Sequence, residues 1–233
     1  MATRQAARTI VARSHAQSLA LEALLAGPLR AGKAAGGRLL VVGRYVISFT
    51  DPGLPRMPNG IECELPALVA SRIAIGRERI ELGDFIILPG PAWDPVPQTI
   101  NVRSFPPGPE PVGSLAALGL GGPSDHDLIA GYVAGLVLLH DQRDRARRIA
   151  DRVTARALPL DSTLLDHASR GEVPEPVHTL LATGDPAQLL GFSGSRGHGW
   201  LRGLVSAGLV LETWPKSAVS AVAPPIDSRP RRA

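Results

Sequence analysis

The sequence predicts an α+β protein in which an N-terminal antiparallel β barrel or sandwich precedes an α-helical domain. Between residues 38 and 105, short apolar runs alternate with Gly, Pro and Asp turns, as they do in antiparallel sheets. Beyond residue 112, longer apolar stretches recur at helical spacing, and two of them follow Gly-rich segments. We therefore expect two domains and two Gly-rich loop-helix elements.

Residues 1–26 are rich in Ala, Arg and Leu and contain no acidic residue before Glu22. Transit peptides share this composition, because they are amphipathic, Arg-rich and poor in acids. Here the apolar residues continue up to the stop at Gly27-Pro28, so we predict an N-terminal helix over 1–26.

Residues 27–105 are predicted to form the β-rich domain. A hairpin is expected at Gly43-Arg44, because a two-residue connection containing Gly joins two apolar runs there. The predicted strands are Leu39–Val42, Tyr45–Phe49, Ile61–Leu65, Arg72–Ile75, Arg79–Leu82 and Phe85–Leu88, with Thr99–Arg103 as a further one.

Four prolines between residues 106 and 111 predict a connector, after which strand signals almost vanish. We assign residues 112–214 to the helical domain and 215–233 to a disordered tail. The predicted helices are Leu115–Leu118, a buried helix ending at His140, a charged helix over 141–157, one capped by Asp161-Ser162-Thr163 and ending at Ala168, and those over 174–183, 185–190 and 200–211.

Net charge, cysteine content and the length of the apolar runs exclude several classes of protein. The net charge is +4 over 233 residues, and three of the arginines lie in the last five residues, so the folded part is close to neutral and nucleic acid is not an expected partner. Cys63 is the only cysteine, which fits a reducing compartment and excludes a cysteine-based zinc site. No run of 18 apolar residues occurs, so we expect a cytoplasmic protein without a membrane partner.

The first Gly-rich loop, residues 119–127, leads directly into the buried helix. Ser124 and Asp127 stand at capping-box spacing, so a helix start is predicted between them. Backbone N–H groups at such a start suit an anion or a polar substrate. Asp125, His126 and Asp127 are the candidate catalytic residues; the alternative is that Asp127 only caps its helix.

The second Gly-rich loop, residues 191–199, precedes another apolar helix. Arg196 can form two parallel hydrogen bonds with a phosphate or carboxylate, so the two loops are predicted to be halves of one anion site. No metal ligand set and no cofactor are predicted. Magnesium is the alternative, because Asp125 and Asp127 would repel a bound phosphate unless a cation intervened.

These motifs resemble the AllH-like family, which is named for a subunit associated with oxamate carbamoyltransferase in bacterial allantoin and purine catabolism. Pro123-Ser124, Asp127 and Gly131 match its Gly-Pro-Gly-Leu-Thr-Pro-Ser-Gly-Asp-Asp signature and following helix, and Pro58-Asn59-Gly60-Ile61 and Trp93-Asp94-Pro95 match two further elements. The sequence departs from the family in the loop before Pro123, which is shorter and lacks the threonine, and at His198, which is not at the family's histidine position. Three more positions carry a different residue. Asp125 replaces a glycine, His126 replaces the first of two acids, and Gly199 stands where an acid is expected.

The resemblance implies an enzyme or enzyme subunit for carbamoyl transfer on a ureido or oxamate-type compound, with carbamoyl phosphate or phosphate as co-substrate and hetero-subunits as partners. The substrate-binding residues expected from the loops and the resemblance are Asn59, Gly60, Gly121, Gly122, Ser124, Ser193, Ser195, Arg196, Gly197 and His198. The altered acids motivate the alternative, a noncatalytic small-anion-binding or assembly subunit of the same fold.

Overall fold

The computed structural model describes residues 10–35, 38–65, 72–111, 123–155, 157–192 and 195–211. It is an α+β structure with one large curled sheet and several helices. The strands are β1 (Ile10–Arg13), β2 (Ala16–Ser18), β3 (Arg30–Ala34), β4 (Leu39–Val42), β5 (Tyr45–Thr50), β6 (Gly60–Glu62), β7 (Ile73–Gly76), β8 (Arg79–Leu82), β9 (Phe85–Leu88), β10 (Ala92–Trp93), β11 (Arg103–Ser104) and β12 (Leu209–Val210). The helices are α1 (Glu22–Ala26), α2 (Pro123–His140), α3 (Arg143–Thr154), α4 (Pro159–Ala168), α5 (Glu175–Thr183), α6 (Ala187–Leu190) and α7 (Ser195–Ser206).

The ten-stranded sheet has the order β1-β9-β8-β7-β3-β4-β5-β6-β2-β10. It curls because β1 and β2 are consecutive in the chain yet pair near its opposite ends. At the junction, the Ser14 N–H donates to the carbonyl of Leu88 and the His15 N–H donates to the carbonyl of Glu62, at 2.9 and 2.7 Å. Buried apolar side chains of the strands, among them Leu40, Ile47 and Ile75, fill the interior of the curled sheet.

Local patterns predicted the central strands correctly. The hairpin between β4 and β5 turns at Gly43, whose φ of 62° lies in the left-handed region that a glycine adopts without steric cost. The sheet is nevertheless mixed rather than purely antiparallel. β1 pairs with β9, β5 with β6 and β2 with β10 in parallel.

The N-terminal helix predicted over 1–26 is wrong for residues 10–18, which form β1 and β2; only the 3-10 turn Leu19–Leu21 and the five-residue α1 are helical. Pairing with β9 and β6 overrides the weak helical preference of this segment. β3 was not predicted either, because its sequence Arg-Ala-Gly-Lys-Ala has no apolar alternation. Residues 1–9 lie outside the described residues.

Beyond residue 122, the structure is helical apart from β12, which pairs with β11. The strand predicted over 99–103 is therefore reduced to Arg103–Ser104. α2 is the centre of this region, and the buried helix expected there is confirmed: Ile129, Val133, Leu136 and Val137 are each at most 4% exposed. The helix predicted over 115–118 and the tail over 215–233 lie outside the described residues.

Three predicted helix starts are wrong. α2 begins at Pro123 rather than between Ser124 and Asp127, so Asp127 lies inside the helix and does not cap it. Asp161 does not cap a helix, because α4 begins at Pro159 and Asp161 lies within its first turn. α7 begins at Ser195 rather than Trp200, so residues 195–199 are helical rather than part of a loop. Gly197 serves packing, since a Cβ on it would lie 1.7 Å from the carbonyl oxygen of Leu189.

Glycines also bring α2 and α7 into direct backbone contact. A Cβ on Gly131 would lie 2.2 Å from the carbonyl oxygen of Trp200, and one on Gly203 would lie 2.1 Å from that of Leu128. Only a residue without a side chain fits such a contact. The close approach sets the first turn of α7 beside the first turn of α2.

In the described part of the chain, no helix combines the length and the apolar character that crossing a membrane requires.

Candidate functional site

A cluster of four ionisable side chains lies where the first turns of three helices meet. Arg196 of α7 is at its centre, with Nη1 3.6 Å from Asp127 Oδ1 and Nη2 3.3 Å from Asp161 Oδ1. His126 completes the cluster, its Nδ1 atom lying 3.5 Å from Asp161 Oδ2. We call these residues, His126, Asp127, Asp161 and Arg196, the helix-start cluster.

The helix-start cluster is mostly closed to solvent. The side chains of Asp127 and Asp161 are 2% and 3% exposed, whereas those of His126 and Arg196 are 13% and 23% exposed. Arg196 and His126 therefore form its outer surface. A ligand would meet these two side chains first and the two carboxylates behind them.

Two buried polar atoms of the cluster lack a hydrogen-bond partner among the described residues: Asp127 Oδ2 and His126 Nδ1. The His126 contact with Asp161 has the distance of an ion pair but not the geometry of a hydrogen bond. Unsatisfied buried polar atoms are uncommon in folded proteins, because each costs about 1–3 kcal/mol. Such atoms beside a guanidinium are typical of a site that completes its hydrogen bonds with a ligand or water.

Burial raises the pKa of Asp127 to about 6. The positive charge of Arg196 and a hydrogen bond with Trp200 lower the pKa, while the negative charge of Asp161 raises it. A carboxyl group with this pKa can accept or release a proton near neutral pH, as a general acid or base must.

We expect Asp127→Asn to stabilise the protein by about 3 kcal/mol at pH 8, because the pKa is raised from 3.8 to about 6 and one pKa unit corresponds to about 1.4 kcal/mol. The folded-state pKa lies above the ordinary value of 3.8 for an aspartate, so the cost of ionising Asp127 is fully present above about pH 6 and absent below about pH 4. The gain should therefore shrink as the pH falls through this window. Urea unfolding at pH 8 and pH 4.5 measures it.

Asp144→Asn, an exposed position on α3, is the matched control and should change stability by at most about 0.5 kcal/mol at either pH. A clear loss of stability in Asp127→Asn at pH 8 would instead make Asp127 a structural partner of Arg196, and the cluster an ordinary buried ion network.

The other predicted site residues fall into four groups, of which the last, Asn59 and Gly60, lies at the start of β6 in the sheet. Asp125 lies partly buried in the first turn of α2, close along the chain to the cluster, and Ser124 lies in the same turn. Ser195 and His198 are exposed on α7, and Gly197 is buried against α6. Gly121, Gly122 and Ser193 lie outside the described residues.

Asn59 is bound within the sheet rather than to the helix-start cluster. Its Nδ2 donates to the Val46 carbonyl at 2.9 Å, and Ser48 Oγ donates to its Oδ1 at 3.3 Å. Gly60 forms the adjoining tight turn, where a Cβ would lie 2.8 Å from the Met57 carbonyl oxygen. Both residues therefore have a structural role in β6 and the turn before it.

Asp161 is the cluster residue that sequence reasoning missed. It was interpreted as a cap, although Leu164, Leu165 and Ala168 recur three, four and seven residues later on one helical face. A carboxylate on that apolar face had to be buried, and a buried carboxylate needs a partner. The position of Asp161 on an apolar helical face was therefore the sequence signal that could have identified it.

A second group of buried polar residues joins the sheet to the helices. His167 is fully buried, and its Nε2 accepts a hydrogen bond from the Tyr45 hydroxyl. Its Nδ1 donates to Glu172 Oε2 at 2.5 Å, and Arg170 Nη2 donates to the same oxygen at 2.9 Å. Since a carboxylate can only accept, Nδ1 carries the proton, and the 3.1 Å contact of Arg170 with Nδ1 is not a hydrogen bond.

A groove of about 430 Å³ also lies between sheet and helices, lined by Arg56 and Glu62 on one side and by Glu175, Gln188 and Gly191 on the other. Both of its acidic side chains already accept hydrogen bonds from Arg56. The Arg56 side-chain Nε donates to Glu62 Oε2, and the Arg56 backbone N–H donates to Glu175 Oε2, each at 3.0 Å. Among the described residues, no three His, Cys, Asp or Glu side chains are arranged to hold a metal ion.

No family model, no curated protein and no solved structure matches this chain.

Proposed function

We propose that this chain binds a small ureido or carbamoyl compound at the helix-start cluster, as an AllH-like enzyme or enzyme subunit. One observation supports this proposal most directly. In the described part of the chain, Asp127 Oδ2 is a buried carboxylate oxygen without a hydrogen-bond partner, and it lies next to the guanidinium of Arg196. A ureido group presents N–H donors beside a carbonyl acceptor. Asp127 would accept from the amide nitrogen while Arg196 donates to the carbonyl oxygen.

Charge favours a neutral or donor-rich group over a simple anion. With both carboxylates ionised, one guanidinium faces two negative charges. A carboxylate repels a bound anion of unit charge 4 Å away by about 4 kcal/mol at an effective dielectric constant of about 20. Arg196 is therefore less suited to phosphate alone than the sequence suggested, and the ureido end of the substrate is the better occupant.

Carbamoyl transfer needs little covalent chemistry from the protein. Arg196 would polarise the carbonyl group. Asp127, with a pKa of about 6, would take the proton from the attacking nitrogen while phosphate leaves, and in the reverse direction would give a proton to the departing nitrogen. His126 lies at the rim, where its side chain is 13% exposed, and would orient the substrate. Asp161 would position Arg196.

We also propose the cellular setting that the family resemblance implies: a cytoplasmic bacterial protein of allantoin and purine catabolism that works with hetero-subunits. A β-rich domain that includes β1 and β2, followed by a helical domain over 112–214, belongs to the same proposal.

The alternative is a noncatalytic assembly or anion-binding subunit. One observation favours it: both carboxylates already face Arg196, as in an ion network that only stabilises the fold. Ligand binding and phosphate release from carbamoyl phosphate together separate the two.

We expect a ureido acid such as N-carbamoylglycine to bind the parent more tightly than inorganic phosphate does. Arg196→Ala should weaken that binding by about tenfold to a hundredfold, because a hydrogen bond to a charged group contributes about 1.5–3 kcal/mol. Arg196→Lys keeps the charge but loses the planar fork, so its loss should be intermediate. Calorimetry with N-carbamoylglycine, oxamate, carbamoyl phosphate and phosphate, each with and without magnesium, measures this.

Arg202→Ala is the matched control, since Arg202 is exposed on the same helix and lies outside the cluster. An equal loss in Arg202→Ala, or no binding of any ureido or carbamoyl compound by the parent, would overturn the proposal. Phosphate release from carbamoyl phosphate, measured on the parent and on Asp127→Asn, then tests the catalytic role.

A further inference from the structure

An arginine-lined groove lies on α3, apart from the helix-start cluster. Arg145, Arg148 and Arg152 project from one face of the helix at i, i+3 and i+7, because 3.6 residues make one turn. They surround a groove of about 390 Å³ with Ile149 buried at its base. Cavities of this size hold small ligands.

A carboxylate of the chain itself occupies part of this groove. Glu110, from the connector before α2, has Oε2 2.6 Å from Arg152 Nη2 and Oε1 3.4 Å from Arg145 Nε. Two guanidinium groups seven residues apart thus converge on one carboxylate. The geometry for a small oxyanion is therefore already formed, with Glu110 as its present ligand.

Arg145 is held rigidly in this arrangement. Its Nη2 donates to the Tyr132 hydroxyl at 3.0 Å and its Nη1 donates to Gln142 Oε1 at 3.1 Å. The Tyr132 hydroxyl in turn donates to the Gly108 carbonyl at 2.9 Å. A guanidinium fixed by its neighbours loses little conformational entropy when it binds an anion.

The groove keeps a positive excess even with Glu110 in place. Three arginines and two acids, Glu110 and Asp151, line it, which leaves a net charge of +1. In the described part of the chain Arg148 forms no ion pair with either acid. A second anionic group of a ligand would therefore meet Arg148 while the first replaces the Glu110 carboxylate.

We propose that the groove on α3 is a second binding site, for a small ligand that carries a phosphate or carboxylate group, and that Glu110 is its built-in competitor. A ligand must displace Glu110 from Arg145 and Arg152. The apparent affinity of the ligand is therefore its intrinsic affinity multiplied by the fraction of molecules in which Glu110 has left the two arginines. The site is independent of the function proposed for the helix-start cluster.

The sign of the effect of Glu110 tests the proposal. Glu110→Ala should bind pyrophosphate or oxalate at least about tenfold more tightly than the parent, because the competing carboxylate is gone. Arg152→Ala introduced into the Glu110→Ala background should abolish the gain. Arg147→Ala in the same background is the control, since Arg147 is exposed on α3 but does not line the groove.

Calorimetry with inorganic phosphate, pyrophosphate and oxalate distinguishes phosphate from carboxylate ligands. Glu110→Gln, which keeps the shape of the side chain, repeats the test if Glu110→Ala does not fold. Glu110 variants that bind all three anions no more tightly than the parent would overturn the proposal. It would also fail if Arg147→Ala weakened binding as much as Arg152→Ala, because the effect would then be that of a basic helix in general.

Discussion

Gly203→Ala should cost the protein about 3 kcal/mol of stability or more, because the new methyl group would overlap the backbone of α2. The Cβ position lies 2.1 Å from the Leu128 carbonyl oxygen and 2.5 Å from the Tyr132 nitrogen. Overpacking against side chains typically costs about 1–3 kcal/mol, and here the obstacle is helix backbone, which cannot rotate away. Chemical unfolding of the variant measures the loss.

The same substitution should also disrupt the helix-start cluster. Forcing α7 away from α2 moves Arg196 from Asp127, which lies four residues before Gly131 on the packed face of α2. Loss of ureido binding in a variant that still folds would show that the glycine contact positions the site. Gly191→Ala is the matched control. Its φ of −76° is ordinary for an L-residue and the nearest atom to its Cβ is 3.6 Å away, so its stability should stay within about 1 kcal/mol of the parent.

The glycines also show where sequence reasoning reached its limit. Glycines before an apolar segment are usual for a loop, and the sequence of residues 191–199 predicts a loop for this reason. In the structure Gly197 and Gly203 are helical and buried, because the absence of side chains lets α7 lie against α6 and α2. Local pattern cannot separate a glycine that gives mobility from one that permits contact.

The central strands could be predicted because their signals are local. β4 and β5 are adjacent in the chain, alternate in burial and share a glycine turn. β1 and β2 could not be, since they pair with β9 and β6, partners distant in sequence, and their own residues resemble a helix. The candidate site follows the same division: His126 and Asp127 lie in a recognisable motif, whereas Asp161 becomes a partner of Arg196 only through the packing of α4.

The buried network at His167 was invisible for the same reason. Tyr45 and His167 are 122 residues apart, and neither stands in a pattern that indicates the other. The network nevertheless joins β5 to α4 and to the segment that follows it, next to the hydrogen bond from the Val46 N–H to Thr163 Oγ1. Its integrity should decide how firmly the sheet and the helices are held together.

Glu172→Ala should be among the most destabilising single substitutions, at about 3–5 kcal/mol at pH 7, because it leaves a buried imidazole N–H without its acceptor and removes a partner of Arg170. Burial alone would raise the pKa of Glu172, but hydrogen bonds from His167 and Arg170 lower it overall. A carboxylate whose folded-state pKa is lowered stabilises the protein above its unfolded pKa of about 4.3. The cost of Glu172→Ala should therefore be full at pH 7 and decline as the pH falls through 4.

Two variants test whether this cost belongs to the network. Tyr45→Phe removes one neutral hydroxyl and should cost about 1 kcal/mol, and Asp166→Ala removes the half-exposed partner of Arg170 and should cost less than about 1 kcal/mol. Burial also lowers the pKa of His167, against the opposing effect of Glu172, so that imidazole stays neutral and its contribution to stability is lost as the pH falls below about 6.5. Urea unfolding of all three variants between pH 4 and pH 8 measures these losses of stability and their dependence on pH. A cost for Glu172→Ala no larger than that for Asp166→Ala, or one unchanged by pH, would reduce the network to an ordinary surface ion pair.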